Sequence, residues 1–146
     1  MNLEAEKYSN KYFPFGITNA LSIPSKTVLL EEGKAADRLY FIRKGCLRLF
    51  FYNEGKDITF QFFFEGDFVA SFDSLYKGTP SLFSLESIEP SEVLFIKKKD
   101  FYKKIESSPS LRKLYEEKII ERFSFYQHLF LSRIKNTPQQ RYEELL

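Results

Sequence analysis

Apolar and polar side chains alternate along two neighbouring stretches of this chain, at residues 46–52 and 58–64. A period of two is typical of antiparallel strands that bury one face. Asn53 to Lys56 separates the stretches, and Gly55 can adopt the positive φ that a tight reversal needs. The pattern predicts a β-hairpin. The apolar positions in one phase are Leu47, Leu49 and Phe51 in the first stretch and Ile58, Phe60, Phe62 and Phe64 in the second.

Shorter apolar runs on either side extend the β region. They predict strands over 25–30, 39–42, 83–87 and 93–96, and a short helix or turn with its loop over 73–80. Residues 1–23 show no clean period, and we expect a short helix with an irregular lead-in there.

The period changes to that of a helix after Lys97. Phe101 and Ile105 lie one helical turn apart, which predicts a short helix. Ser108 followed by Pro109 matches the N-cap and first position of a second, longer helix.

The longer helix carries more apolar positions than a single stripe needs. Its second apolar face would either pack on the N-terminal segment or form a subunit interface, and we favour the interface. The apolar positions are Leu111, Leu114, Tyr115, Ile119, Ile120, Phe123, Tyr126, Leu129, Phe130 and Ile134.

Composition narrows the class of protein. A length of 146 residues suits a domain with its own core, and 17 Phe and 9 Tyr make that core aromatic. A net charge of +2 does not by itself indicate a polyanion binder. Cys46 alone cannot form an internal disulfide and fits a reducing cytoplasm. No apolar run reaches the roughly 18 residues of a membrane span, so we expect no membrane contact.

The order of the turn and strand motifs carries a resemblance. Leu39 to Ile42, a glycine after Lys44, the hairpin at Gly55 and the corner Gly66-Asp67-Phe68 follow one another. From about Thr27 to Phe130 this resembles the cyclic-nucleotide-binding sensor domain of Crp/Fnr-type transcription regulators. The resemblance implies a mainly β fold with helices: a double-stranded β-helix (jelly roll) followed by a long dimerisation helix.

The resemblance also implies domain boundaries and partners. Residues 1–105 would form the β-roll with its N-terminal lead-in, and 106–136 the dimerisation helix. Residues 137–146, which begin with a Thr-Pro capping box, would start the helix towards a DNA-binding domain that lies outside this chain. A homodimer is implied, with DNA contacted only through that helix-turn-helix domain. The implied interface consists of Tyr115, Ile119, Phe123, Tyr126 and Phe130.

In that family, a phosphate-binding cassette uses a Gly-Glu-Leu run for the ribose and an Arg-Ser pair for the cyclic phosphate. A gapless match from Gly66 puts Ser71 in place of the Glu and Ser81 in place of the Arg. No arginine occurs between Arg48 and Arg112, so a shift of register does not restore the site. We therefore expect no ordinary cyclic-AMP binding. The implied pocket residues are Ala70, Ser71, Phe72, Ser81, Leu82, Tyr126 and Gln127, with Phe83 beside them.

Two interpretations of that pocket remain open. Without a fixed charge it suits an unidentified apolar or weakly polar effector, or else phenylalanine side chains fill it. No cofactor is evident, because Cys46 alone cannot hold an iron-sulfur cluster and His128 alone cannot build a multi-histidine metal site. His128 fits a surface or interface position better than a haem ligand.

Nothing in the chain indicates an enzyme. Serine-hydrolase chemistry would depend on His128, and no nucleophile elbow is present. The lysines between Lys97 and Lys104 fit a solvated helix face better than a nucleic-acid contact. The sequence therefore favours the sensing and dimerisation part of a Crp/Fnr-like regulator with a degenerate nucleotide site. The alternative is a stand-alone module that acts in signalling or protein interaction without DNA.

Overall fold

The computed structural model describes residues 19–135 of the chain. Their contacts form two compact units, one ending at Lys104 and the other beginning at Ile105. The strands are β1 (Asn19–Ile23), β2 (Val28–Leu30), β3 (Arg38–Lys44), β4 (Leu47–Asn53), β5 (Lys56–Phe63), β6 (Phe68–Val69), β7 (Ser84–Ser87) and β8 (Ser91–Lys97). The helices are α1 (Phe72–Lys77), α2 (Lys98–Ser107) and α3 (Pro109–Lys135).

The strands of the first unit form two four-stranded antiparallel sheets. Their orders are β1-β8-β3-β6 and β2-β7-β4-β5, so strands that are adjacent in sequence often lie in different sheets. This order is that of a jelly roll, and the predicted double-stranded β-helix is confirmed. The core combines side chains of both sheets: Ile23, Tyr40, Ile42, Val69 and Val93 from one, and Leu47, Leu49, Phe63 and Leu85 from the other.

The predicted hairpin is present and joins β4 to β5. Its two turn residues, Glu54 and Gly55, have φ values of 53° and 80°, the left-handed pair that a two-residue hairpin turn needs. Asn53 pairs with Lys56 across the turn.

A β-bulge interrupts the alternation that the sequence suggests for β5. Leu49 pairs with Gln61 and Phe50 with Thr59, so Phe60 is an extra residue between them. Beyond the bulge the phase changes: Phe63 is buried, whereas Phe62 is 50% exposed. The continuous Ile58-to-Phe64 phase predicted from sequence is therefore wrong.

The beginning of the described chain also differs from the prediction. Residues 19–23 form an edge strand paired with β8 rather than an irregular lead-in, and residues 1–18 lie outside the described range. Strand β2 begins at Val28 rather than at Ser25, because a turn with Lys26 at φ 63° precedes it. The corner after Gly66 adds a short strand, β6, on β3.

Gly45, in the connection between β3 and β4, permits a close approach to β8. It has φ +106°, and a Cβ there would collide with Ser91. The Ser91 hydroxyl accepts from the Cys46 N–H at 3.2 Å and donates to the Glu89 carbonyl at 2.8 Å. A side chain at position 45 would therefore displace a buried hydrogen-bonded serine.

The helices begin close to where the sequence predicts. Phe101 and Ile105 of α2 are buried, and Ser108 Oγ accepts from the Leu111 N–H at the start of α3. Helix α3 extends over 27 residues, none of which is buried. Its exposed large apolar side chains are Ile120, Phe123, Phe125, Phe130, Leu131 and Ile134. The predicted helix start at Thr137 lies outside the described residues. No helix in the described range is long and apolar enough to cross a membrane.

Candidate functional site: a neutral cassette

The segment that the sequence analysis aligns with the phosphate-binding cassette runs from the end of β6 to the start of β7. Ser71 precedes α1, whose six residues end at Gly78 in the left-handed region with φ 73°. The Gly78 N–H donates to the Ser74 carbonyl at 2.7 Å and closes the helix. The chain then returns through Pro80 and Ser81 to β7.

The two serines at the cassette's key positions are in direct contact. Their Oγ atoms lie 3.0 Å apart, and Ser71 and Ser81 are 0% and 2% exposed. Ser81 Oγ also lies 2.7 Å from the Phe83 carbonyl and accepts from the Phe83 N–H at 3.3 Å. Ser71 Oγ is 3.4 Å from a carboxylate oxygen of Asp73. Each hydroxyl therefore has its partners inside the protein.

Main-chain contacts hold Ser81 in place from the other side. The Gly33 N–H donates to the Ser81 carbonyl, and the Ser81 N–H donates to the Lys34 carbonyl, both at 2.8 Å. Ser74 adds a further anchor, because its hydroxyl accepts from the Ala36 N–H at 2.8 Å and donates to the Thr79 carbonyl. The contact between the two serines thus belongs to a rigidly supported loop.

Within residues 66–83, Lys77 is the sole cation, and it lies exposed in the last turn of α1. The same segment carries two carboxylates, Asp67 and Asp73. The Asp67 carboxylate already has a nearby hydrogen-bond partner, since its Oδ2 accepts from the Phe64 N–H at 2.9 Å. The cassette therefore presents buried hydroxyls and one exposed carboxylate, but no cationic donor fork for a phosphate.

The other predicted pocket residues lie in different environments. Ala70 is buried, and Phe72 packs edge-to-face on Phe68 with ring centroids 5.8 Å apart. Leu82 is 71% exposed, so its side chain lies at the surface. Tyr126 and Gln127 lie on α3, in the second unit.

Two partly buried phenylalanines that the sequence analysis did not place at the pocket, Phe51 and Phe60, form a cluster with Phe83. Phe51 lies 6.3 Å from Phe60, and Phe60 lies 5.2 Å from Phe83, measured between ring centroids. Phe60 reaches this cluster through the bulge in β5. The uninterrupted alternation of the sequence does not reveal that bulge.

A charged cluster lies on the opposite face of the same sheet. Arg48 binds Glu86 at 2.9 Å, Asp57 at 2.7 Å and the Thr59 hydroxyl at 2.8 Å. Its guanidinium carbon lies 4.1 Å from the centre of the Phe50 ring. Burial opposes the charged form, but the hydrogen bonds to Asp57 and Glu86 prevail and raise the pKa of Arg48. This arginine is fully engaged in holding strands β4, β5 and β7 together.

Among the described residues, no group of three or more His, Cys, Asp or Glu side chains could hold a metal ion. Cys46 is buried, and burial, followed by the nearby Glu89, raises the pKa of its thiol. His128 is exposed on α3, with Nδ1 2.8 Å from the Ser124 carbonyl oxygen.

Comparison with known families agrees with this fold. The sequence model of the cyclic nucleotide-binding domain matches residues 20–108. The chain belongs to the cyclic nucleotide-binding domain family. The family resemblance inferred from the sequence is thereby confirmed, and this fold is typical of regulatory domains. A comparison with curated proteins found no match.

Several solved structures share the fold. The chain is 20% identical to the Thermus thermophilus catabolite activator protein, with a TM-score of 0.61, covering 88% of this chain and 60% of that one. The N-terminal domain of a Streptomyces coelicolor transcriptional regulator is 14% identical, with a TM-score of 0.60, and the match covers 88% of this chain and 86% of that one. The regulatory domain of Toxoplasma gondii PKA, crystallised with cAMP, is 14% identical, with a TM-score of 0.64, and the match covers 80% of this chain and 51% of that one. The chain thus spans about half to three fifths of the Toxoplasma and Thermus chains.

Proposed function

We propose that this chain is the effector-sensing and dimerisation portion of a Crp-like transcription regulator whose cassette no longer binds cyclic nucleotides in the usual way. The family match and the similarity to a Thermus activator and to a Streptomyces regulator's N-terminal domain support the regulator assignment. The proposed division is a β-roll at 1–105, a dimerisation helix at 106–136 and the start of a helix towards a DNA-binding domain at 137–146.

The observation that carries the loss of cyclic-nucleotide binding is the contact between Ser71 and Ser81. In the resembling family, these positions hold a glutamate for the ribose and an arginine for the cyclic phosphate. Here two neutral hydroxyls lie 3.0 Å apart and bind each other. A cyclic phosphate would bring a negative charge next to Asp73, and the one cation within residues 66–83, Lys77, is exposed to solvent.

Calorimetric titration with cyclic AMP and with cyclic GMP tests this proposal directly. We expect no saturable heat at ligand concentrations up to about 1 mM, which corresponds to a binding free energy weaker than about −4 kcal/mol. The regulatory domain of Toxoplasma PKA, crystallised with cAMP, is the positive control in the same buffer. Micromolar binding of either nucleotide would overturn the assignment of Ser71 and Ser81.

Exposed apolar side chains on α3 support the proposed homodimer. Positions 119, 123, 126 and 130 are spaced by four, three and four residues, which is the spacing of a coiled-coil seam. Phe123 is 58% exposed and Phe130 is 65% exposed. The other proposed interface residues, Tyr115, Ile119 and Tyr126, are partly exposed.

Phe123→Glu tests the dimer. A charge in the seam has no partner there, so we expect the dissociation constant of the dimer to rise by about 100-fold or more. Sedimentation or light scattering measures the mass at several concentrations. Lys113→Glu, at an exposed polar position of the same helix, is the control and should leave the mass unchanged. An unaltered oligomer in Phe123→Glu would contradict the proposed interface.

A stand-alone signalling module is the second candidate, because a kinase regulatory domain shares this fold. Selection of genomic DNA fragments by the protein made from its complete reading frame distinguishes the two. Enrichment of a two-fold symmetric sequence supports the regulator. Recovery of no preferred fragment supports the module.

A further inference from the structure

Three arginines lie on the consecutive strands β3 and β4, and one of them differs from the other two. Arg43 contacts Glu92 at 3.3 Å, and Arg48 is held by two carboxylates. Arg38 is half-buried and forms no ion pair with a carboxylate within residues 19–135. A guanidinium that loses hydration without gaining an anionic partner is destabilising, so Arg38 needs an explanation of its own.

The Arg38 side chain lies on the inner face of its sheet. Arg38 and Tyr40 are two residues apart on β3 and therefore share a face, and Tyr40 belongs to the core cluster between the sheets. The Arg38 guanidinium carbon lies 4.3 Å from the centre of the Phe95 ring, and Phe95 packs against the same cluster. Arg38 is thus an inward-facing cation of the β1-β8-β3-β6 sheet.

A second cation lies directly opposite Arg38. Lys97 on β8 pairs with Arg38 in the antiparallel register, so the two side chains share one face. Like charges at directly opposite positions are destabilising. Lys97 is exposed, and the acidic neighbour Asp37 forms no ion pair with either cation. We call Arg38 and Lys97 the β3-β8 cation pair.

The Tyr40 hydroxyl adds a neutral partner to this pair. It hydrogen-bonds the Arg38 side chain and donates to the Leu29 carbonyl at 3.4 Å. Burial raises the pKa of Tyr40, so the hydroxyl stays protonated and supplies no negative charge. Tyr40 therefore orients the guanidinium without neutralising it, and the planar fork keeps further N–H donors for an anion.

We infer that the β3-β8 cation pair binds the oxyanion group, a carboxylate or a phosphate, of a small-molecule ligand. Arg38 presents a planar donor fork that matches two oxygens of such a group, and Lys97 places a second positive charge beside it. A bound oxyanion would compensate both charges at once. The site belongs to β3 and β8 rather than to the segment between β6 and β7, so this inference goes beyond the proposed function and does not depend on it.

Thermal unfolding of the full chain in different anions tests the site. About 20 mM inorganic phosphate and about 20 mM acetate are compared with chloride at equal ionic strength. We expect at least one oxyanion to raise the midpoint of unfolding by about 3 °C or more. A rise with phosphate alone would indicate a phosphorylated ligand, and a rise with acetate alone a carboxylic acid. No rise with either anion would overturn the inference.

Two arginines of β3 provide the variant and its matched control. Arg38→Met keeps an unbranched side chain beside the Phe95 ring but removes the charge, and it should abolish the rise. Arg43→Met removes an arginine that already has Glu92 as its partner, so the rise should stay within about 1 °C of that of the unchanged protein. Equal rises in the unchanged protein and both variants would reveal a general salt effect and overturn the inference.

Lys97→Gln is the second variant, and it replaces Arg38→Met if that protein does not fold. Lys97 is exposed, so the substitution leaves the contacts of Arg38 with Tyr40 and Phe95 in place. Loss of the second charge should reduce the rise by about half. An unchanged rise in Lys97→Gln would contradict the β3-β8 cation pair.

The stability of Arg38→Met in chloride separates a binding role from a structural one. Without an oxyanion, removal of an uncompensated charge beside Lys97 should leave the midpoint of unfolding unchanged or slightly raised. A structural role through Phe95 and Tyr40 alone predicts a lower midpoint and an unchanged response to oxyanions. That combination would overturn the inference.

Cyclic-AMP calorimetry distinguishes failure of this inference from failure of the proposed function. Cyclic-AMP binding that Arg38→Met abolishes would refute the proposed loss of nucleotide binding and support the cation pair as an anion site. Absence of both the oxyanion effect and cyclic-AMP binding would refute the cation pair and leave the proposed function intact.

Discussion

The β-roll contains two polar clusters that are built in opposite ways. On the outer face of one sheet, Arg48 is surrounded by Glu86, Asp57 and a threonine hydroxyl, so three charges are held together. In the cassette, Ser71 and Ser81 meet as two neutral hydroxyls with almost no exposed surface. The first cluster uses charge to join strands, whereas the second has no charge at its centre.

The contrast offers a physical reason why the proposed loss of a charged binding site is compatible with an intact fold. Removing one member of a buried ion pair leaves the other charge without compensation, and this costs several kcal/mol. In the resembling family, the cassette positions carry a glutamate and an arginine, and here both are serines. Replacement of both by short hydroxyls leaves a pair that satisfies itself, so the cassette needs no ligand to compensate a buried charge.

The largest expected effect on stability comes from breaking the charged cluster around Arg48. Arg48→Ala leaves Glu86, whose side chain is 17% exposed, without its cation and uncovers the Phe50 ring. We expect the free energy of unfolding to fall by about 3 kcal/mol, measured by urea denaturation. Arg43→Ala is the matched control, because Arg43 contacts Glu92 at 3.3 Å and the Glu92 side chain is 42% exposed. The control should cost less than about 1 kcal/mol. Equal losses would mean that the Arg48 cluster is an ordinary surface pair.

A smaller effect comes from restoring charge to the cassette. Ser71→Glu alone places a carboxylate at a fully buried position and should lower the free energy of unfolding by about 2 kcal/mol. Ser71→Glu combined with Ser81→Arg should recover roughly half of that loss, because the two new charges pair.

The same double variant should also gain cyclic-AMP binding, with a dissociation constant below about 100 μM by calorimetry. Ser71→Gln combined with Ser81→Met adds similar volume without charge and should not bind. Two results together would contradict this prediction: a loss of unfolding free energy in the double variant larger than the sum of the losses in Ser71→Glu and Ser81→Arg, and no nucleotide binding. They would show that residues other than Ser71 and Ser81 also prevent binding.

The smallest effect comes from opening the serine contact without adding charge. Ser81→Ala removes the acceptor of the Phe83 N–H and the partner of Ser71 Oγ. We expect a loss of about 1 kcal/mol in the free energy of unfolding. Ser25→Ala is the control, since Ser25 hydrogen-bonds the Ile88 carbonyl at an exposed position where water can replace it. Its effect should lie within about 0.5 kcal/mol of zero.

Local turn and cap chemistry made much of the fold predictable. The hairpin turn at Gly55, the short helix after Lys97 and the N-cap at Ser108 depend on dihedral preferences and hydrogen bonds among neighbouring residues. The order of these elements was enough to indicate the family. The strand at Asn19–Ile23 was missed because its strand character comes from pairing with β8, about 70 residues away in sequence.

The composition of the cassette was also set by the sequence alone. Ser71 and Ser81 stand at the positions that the family resemblance assigns to a glutamate and an arginine, and no arginine occurs between Arg48 and Arg112, so the sequence by itself predicts a cassette without the usual phosphate-binding fork. Only the tertiary structure decided that these hydroxyls touch, because main-chain pairing of Ser81 with Gly33 and Lys34 holds it there. It also decided that a bulge directs Phe60 inward. Both features depend on pairing between distant segments, and a period read along one strand does not contain that information.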